Sequence, residues 1–227
     1  MKKIVVLTGA GISAESGIKT FRGADGLWEG HDIMEVASPE GWFQNKELVL
    51  DFYNQRRKQL LLVQPNKAHH LLAKLESDFD VEIITQNVDD LHERAGSTKI
   101  IHLHGELLKV RSTTEENLVY HWEKDLHLGD KCERGNQLRP HIVWFGEEVP
   151  MLDKSIEIVQ KSDILVIIGT SMQVYPAAGL INYIKPNNPI YFIDPKPNIS
   201  KNYYNNLSII SEKASTGMEK LIRILNS

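Results

Sequence analysis

The chain has 227 residues, enough for one large domain or a domain carrying a smaller inserted lobe. Its net charge of −4 argues against nucleic acid as the main partner. No apolar run approaches the ~20 residues of a membrane span, and the single cysteine, Cys132, excludes an internal disulfide and any multi-cysteine metal site. Met1, Lys2 and Lys3 lead into only four strongly apolar residues before Thr8, too few for a signal-peptide core, so the chain reads as cytoplasmic.

The first predicted element is a buried strand over residues 4–7. It runs into a glycine-rich turn. Gly9 and Gly11 lack Cβ, which lets a bulky anion approach the backbone, and a helix opening there would aim its N–H groups at that anion. A nucleotide pyrophosphate suits such a turn. The pattern is not the dinucleotide fingerprint G-x-G-x-x-G, because Ala14 stands at the third glycine position. Residues 23–69 hold a loop and then helical material, with Ser38 as cap, Pro39 at the first helical position and Glu40 in the first turn. Val49, Phe52, Tyr53, Arg56, Leu60 and Val63 share one helical face. Arg56 within that apolar stripe requires an anion, a nearby acid or a path to water.

A helix follows Pro65, capped by Asn66 and burying Ala68, Leu71, Leu72, Leu75 and Phe79. His69, His70 and His92 lie on helix-like segments and receive no role. A strand over 81–84 delivers Thr85-Gln86-Asn87-Val88-Asp89 to a sheet edge, where open α/β sheets bind ligands. Gln86, Asn87 and Asp89 either hydrogen-bond an amide or ribose there or cap the next helix. A strand over 99–103 leads into His102-Leu103-His104-Gly105. The two histidines would share a strand face, but no further metal ligands lie close by. His104 is the better catalytic candidate, since Gly105 lets the chain open into a cleft and imidazole is a base near neutral pH.

Residues 109–140 are polar and read as a second insertion. Residues 142–145 read by themselves as a core strand. Strands over 164–168 and 190–193 precede Gly169-Thr170-Ser171 and Asp194. Thr216 and Glu219 form a capping-box pair ahead of Leu221, Ile222 and Leu225. The expected fold is α/β: a Rossmann-like parallel sheet with helices on both faces. Residues 1–22, 70–108 and 141–227 would form it, and 23–69 with 109–140 a small inserted lobe.

The block from Leu7 to Arg22, the Thr85–Asp89 run, His104-Gly105 and Gly169-Thr170-Ser171, in this order, resemble the motifs of the sirtuin family, the NAD-dependent protein lysine deacylases. The resemblance implies an NAD site built from Gly9, Ala10, Gly11, Ser13, Glu15, Phe21, Arg22, Gln86, Asn87, Asp89, His104, Gly169, Thr170, Ser171, Asp194 and Ala214. Asp194 stands where the family usually has Asn; it still accepts hydrogen bonds from ribose hydroxyls. His104 would be the catalytic base, with Asn87 and Asp89 holding the nicotinamide carboxamide and its ribose. The products would be free lysine, nicotinamide and O-acyl-ADP-ribose.

Arg139 to Glu147 resembles the family's loop for the acyl-lysine of protein substrates, with Val143, Phe145, Gly146 and Glu147 against that side chain. Tyr53 and Arg56 match the Tyr-x-x-Arg pair of the branch that removes succinyl and malonyl groups as well as acetyl, and small Ala37 leaves room for a longer acyl chain. Most sirtuins hold a structural zinc on four cysteines. Here Ser112 and Gly135 stand where cysteines are expected, and one thiolate cannot hold the ion, so no zinc is expected. Packing of Leu118, Val119, Tyr120, Trp122 and Leu126 would replace it. An ADP-ribosyltransferase and a non-catalytic NAD or ADP-ribose sensor remain as rivals on the same motifs.

Overall fold

The computed structural model describes residues 1–19, 27–200 and 204–226. The first half holds β1 (Lys3–Thr8), β2 (Leu27–Trp28), β3 (His31–Asp32), α1 (Ile33–Val36), α2 (Pro39–Gln44), α3 (Lys46–Leu62), α4 (Lys67–Leu75), β4 (Asp80–Thr85), α5 (Leu91–Arg94) and β5 (Ile100–His102). The second half holds β6 (Gly105–Ser112), β7 (Val119–His121), β8 (Leu138–Ile142), α6 (Leu152–Gln160), β9 (Ile164–Ile168), β10 (Ile190–Ile193), β11 (Leu207–Ile210) and α7 (Ala214–Leu225). Among the described residues no helix is long and apolar enough to cross a membrane.

Six strands form one parallel sheet in the order β11-β10-β9-β1-β4-β5. Its central strands β1, β9 and β10 are largely apolar on both faces because both faces are covered. Ile4 and Val6 of β1 pack towards α4 and α7, against Leu72, Leu75, Met218 and Leu221. Val5 and Leu7 point the other way, into a cluster with Ile158 and Val159 of α6 and Leu180 and Ile181 of a 3-10 segment. From the neighbours β1 and β9 the chain proceeds to opposite sides of the sheet. The crevice beyond the carboxyl ends of such a pair is where this architecture binds ligands.

All five expected strands are present; 99–103 is trimmed to Ile100–His102. β11 was not anticipated: its sequence, Leu207-Ser208-Ile209-Ile210, follows a polar stretch and is short. Ser38 caps α2 by accepting the Gly41 N–H at 2.9 Å, and Asn66 caps α4. The capping box at Thr216 and Glu219 is not formed. α7 starts three residues earlier, with Lys213 as its N-cap; Glu15 accepts the Ser215 N–H at 3.0 Å, and Glu219 pairs with Lys67 instead. The helix predicted after Gly11 is replaced by two 3-10 turns, Ala10–Ile12 and Ala14–Ser16. Residues 142–145 do not form a strand: β8 ends at Ile142, because Val143 donates to the His104 carbonyl and the chain turns at Glu147.

The small lobe contains a three-stranded antiparallel sheet, β7-β6-β8, beside α1–α3. Leu50, Val110, Leu126, Cys132 and Leu138 form its core, with Leu118, Tyr120 and Trp122 against them. Val119, expected in that packing, is on the surface. A fully buried cation, Arg57, fastens α3 to this lobe. It donates to Leu107 O at 3.2 Å, Lys124 O at 3.3 Å and Asn54 Oδ1 at 2.8 Å. Asn54 in turn bonds both backbone groups of Leu126. Burial lowers the Arg57 pKa to about 10, with nearby Asp125 offsetting part of the effect.

Candidate active site

Beyond the carboxyl ends of β1 and β9 lies a cavity of about 280 Å³. Gly9, Ala10 and Gly11 form one end with Gly169, Thr170 and Ser171; Gln86, Asn87, Asp89 and His104 line its middle. Ala37, Tyr53, Arg56, Val143 and Phe145 to Glu147 line the rest. Ser13 lies just behind, fully buried. Glu15, Asp194 and Ala214 are not on the cavity wall: Glu15 caps α7, Ala214 is its first residue, and Asp194 accepts the Lys196 N–H at 2.8 Å. Phe21 and Arg22 fall outside the described residues.

The glycines at the first loop serve a purpose the sequence did not reveal. A Cβ on Gly11 would sit 2.5 Å from Gly169 Cα, and one on Gly9 2.8 Å from Thr170 Cβ. The two loops therefore touch backbone to backbone. Gly9 N–H donates to Ile168 O at 3.0 Å and Gly11 N–H to Gly169 O at 2.7 Å. These two donors are already used, so the glycines act first by letting the loops interlock. Gly169 itself has φ +64°, which favours glycine.

Asn87, Asp89 and Ser13 make one buried cluster. The Ser13 hydroxyl donates to Asp89 Oδ2 at 2.9 Å and accepts from Asn87 Nδ2 at 3.2 Å. Asp89 Oδ1 accepts the Leu91 N–H at 3.2 Å, so the cap reading holds for this oxygen alongside any ligand role. Burial pushes the Asp89 carboxyl up to about 6, against the pull of the Ser13 and Leu91 bonds. A carboxyl raised from its unfolded value of ~3.9 favours the fold while protonated. That stability is full below pH ~4 and is lost as pH rises through about 6, a swing of ~3 kcal/mol. Asp89→Asn should flatten the pH dependence of unfolding free energy across this window. Denaturant titrations at pH 4.5 and 7 measure it, and an unchanged slope would assign the swing elsewhere.

Behind Asn87 runs a chain that sequence reasoning missed. Thr8 and Thr85 end adjacent strands in register; the Thr8 hydroxyl donates to Thr85 Oγ1 at 2.9 Å, which also accepts the Asn87 N–H at 3.0 Å. His92 Nε2 meets Thr8 Oγ1 at 3.0 Å. The available signal was a threonine closing each of two largely apolar strand runs.

The two histidines of the 102–105 segment do not share a strand face. β5 ends at His102, and His104 occupies the bend before β6. His102 is engaged by Glu93 Oε1 at 2.7 Å and the Asn87 carbonyl at 3.1 Å. Burial opposes its charge, but the Glu93 carboxylate outweighs this and raises its pKa. His104 Nδ1 lies 3.0 Å from the Gln86 carbonyl, which fixes the tautomer with the proton on Nδ1 and the lone pair on Nε2. Burial holds its pKa below the ordinary value, so at neutral pH it is an uncharged imidazole.

Arg56 faces the cavity with its guanidinium 5.0 Å from the Phe52 ring. Among the described residues its buried Nε has no hydrogen-bond partner and no carboxylate pairs with its guanidinium. Glu147 is fully engaged: its oxygens take Arg139, Arg111 and the Trp144 N–H. In the small lobe, Cys132 Sγ lies 3.6 Å from Ser112 Oγ. Among the described residues no group of three or more potential ligands could hold a metal ion.

Comparison with known proteins agrees with this geometry. The family model described as "Sir2 family" matches residues 9–176. A Helicobacter pylori protein named NAD-dependent protein deacylase is 62% identical over 98% of this chain and 96% of its own. A Bacteroides thetaiotaomicron protein of the same name is 52% identical over 99% and 98%. A Sir2 homologue solved with NAD superimposes with a TM-score of 0.88 at 41% identity, covering 99% of this chain and 90% of that one. Another, solved with ADP-ribose, gives 0.90 at 40%, covering 99% and 92%. With the site geometry, the full-length identity and the fold in agreement, the chain belongs to the Sir2 family.

Proposed function

We propose that this protein is an NAD-dependent protein-lysine deacylase of the cytoplasm that removes acetyl groups and also succinyl and malonyl groups. The observation that carries the acyl range is Arg56: a cavity-facing guanidinium that has no acid partner among the described residues, in the same cavity as the Tyr53 phenol and His104. Such a guanidinium is completed by a carboxylate brought in on the substrate.

The donor set fits NAD. The Gln86 amide and the Thr170 and Ser171 hydroxyls suit ribose and phosphate oxygens, and the Asn87–Ser13–Asp89 cluster suits a carboxamide. Bound NAD supplies an electrophilic ribose carbon once nicotinamide leaves. Asn87 and Asp89 are held rigidly from behind, so they orient that end at little reorganisation cost. His104 Nε2 takes a proton from a ribose hydroxyl, while Nδ1–H stays on the Gln86 carbonyl and steadies the resulting cation. Val143 and Phe145 to Glu147 line the substrate side, where strand-like main-chain pairing would hold a peptide. The lobe is taken to be free of zinc, because Cys132 is the only cysteine and the lobe has its own apolar core.

The test is NAD-dependent turnover of matched acetyl-lysine and succinyl-lysine peptides by purified protein, with metal content measured in the same sample. Both groups should be removed, with one nicotinamide released per lysine freed, and a strong chelator should leave the thermal midpoint within ~1 °C, since no metal contributes to folding. Acetyl removal alone would reduce Tyr53 and Arg56 to structural residues. Transfer of ADP-ribose to protein would favour the transferase, and NAD binding without turnover the sensor. A chelator-induced drop in midpoint would reinstate a structural metal.

A further inference from the structure

The Tyr53 hydroxyl is fully buried and accepts the Trp144 indole N–H at 3.0 Å. A phenol has one proton to give. With its oxygen taken by the indole, that proton is its unspent group, and among the described residues it has no acceptor. The Tyr53 ring cannot swing away: it meets Phe52 and Trp28 edge-on at centroid distances of 5.2 and 6.3 Å.

Trp144 is itself clamped. Its ring lies under Arg139, with Cζ 3.3 Å from the centroid. Its backbone N–H donates to Glu147 Oε2 at 2.8 Å. Arg139 grips both oxygens of Glu147, at 2.6 and 3.1 Å, and also donates to Ile142 O at 3.0 Å. Such a forked pair is the most directional ion pair available to a protein. The indole N–H is thereby aimed at one point, the Tyr53 oxygen.

We propose that Trp144, held by the Arg139–Glu147 clamp, is a positioning residue for acyl selectivity: its indole N–H occupies the Tyr53 oxygen and so turns the phenol proton towards the carboxylate of an acidic acyl group. This rests on the acyl range proposed above. Accepting the indole N–H also polarises the O–H and strengthens the bond it donates. Burial pushes the phenol pKa far above its usual value, so the proton is present at any working pH. A neutral acyl group such as acetyl has no carboxylate to receive it. Loss of the indole N–H should therefore be felt by one substrate class and not by the other.

The experiment is a double-mutant cycle with Trp144→Phe and Tyr53→Phe, read as the ratio of kcat/KM for succinyl-lysine over acetyl-lysine peptides. Trp144→Phe should lower that ratio about fivefold, as expected for one hydrogen bond, mainly through a higher KM for the succinyl peptide. In the Tyr53→Phe background it should lower the ratio no further. Replacing Trp144 by benzothienylalanine, which keeps the ring shape and loses the N–H, guards against a packing defect and should reproduce the drop. Equal losses on both peptides, or a drop that persists without the Tyr53 hydroxyl, would overturn the positioning role. A ratio unmoved by Tyr53→Phe itself would instead overturn the acyl reading, and this inference with it.

Discussion

His104→Ala is expected to lower NAD-dependent deacylation by about 10²–10⁴-fold, the usual worth of a positioned general base. NAD should still bind, because the Gly9–Gly11 and Gly169–Thr170 loops are locked to each other and Asn87 is held by Thr85 and Ser13, none through His104. The pH profile adds a second check. Burial holds the His104 pKa below its ordinary ~6.5, so the active, neutral form persists below that pH and the acid limb of the wild-type rate should lie under it. Nicotinamide release gives the rate, and calorimetric titration of NAD gives the binding. Turnover within tenfold of wild type would remove the base from His104.

Arg56→Met should cut kcat/KM for a succinyl-lysine peptide by about 10- to 100-fold, the range for one charge-assisted hydrogen-bonded contact. Methionine keeps much of the apolar stem that rests on Phe52, so the acetyl peptide should lose far less. The contrast between the two peptides is the measurement. Equal losses would mean that Arg56 supports α3 and does not read the acyl group.

The sheet and the order of its loops were legible because parallel strands covered on both faces announce themselves as continuous apolar runs. Ile4 to Leu7 and Ile164 to Ile168 are buried without exception, and Ile190 to Ile193 are buried but for the half-buried Tyr191. The small lobe was less legible. β6 and β8 do not alternate buried and exposed positions regularly, and β6 carries Lys109 and Arg111 among apolar residues, which dilutes the periodic signal. Local patterning placed Ser38 and Asn66 as caps, but it misplaced the start of α7, whose first turn is satisfied by Glu15 from 200 positions away.

At the site, residue types and motif order were enough to bring Gln86, Asn87, Asp89, His104, Tyr53 and Arg56 to one cavity. The supporting layer could not be read. Arg57 carried no signal in the sequence, and Trp144 reads as core; only the folded chain shows which oxygen each N–H meets. The reason for Gly11 was also hidden, since its neighbour Gly169 lies in the loop after β9, far away in the chain.

The Arg57 fastening has a consequence for the conditions the enzyme tolerates. Its hydrogen bonds end on uncharged oxygens of Leu107, Lys124 and Asn54, and its charge persists up to about pH 10. Dissolved ions screen exposed charge pairs but reach a buried donor bonded to carbonyls poorly. The helix that carries Tyr53 and Arg56 is thus moored to the small lobe by a joint with no titration near neutrality and little dependence on ionic strength. Acidification or brine should loosen the surface pairs before this joint.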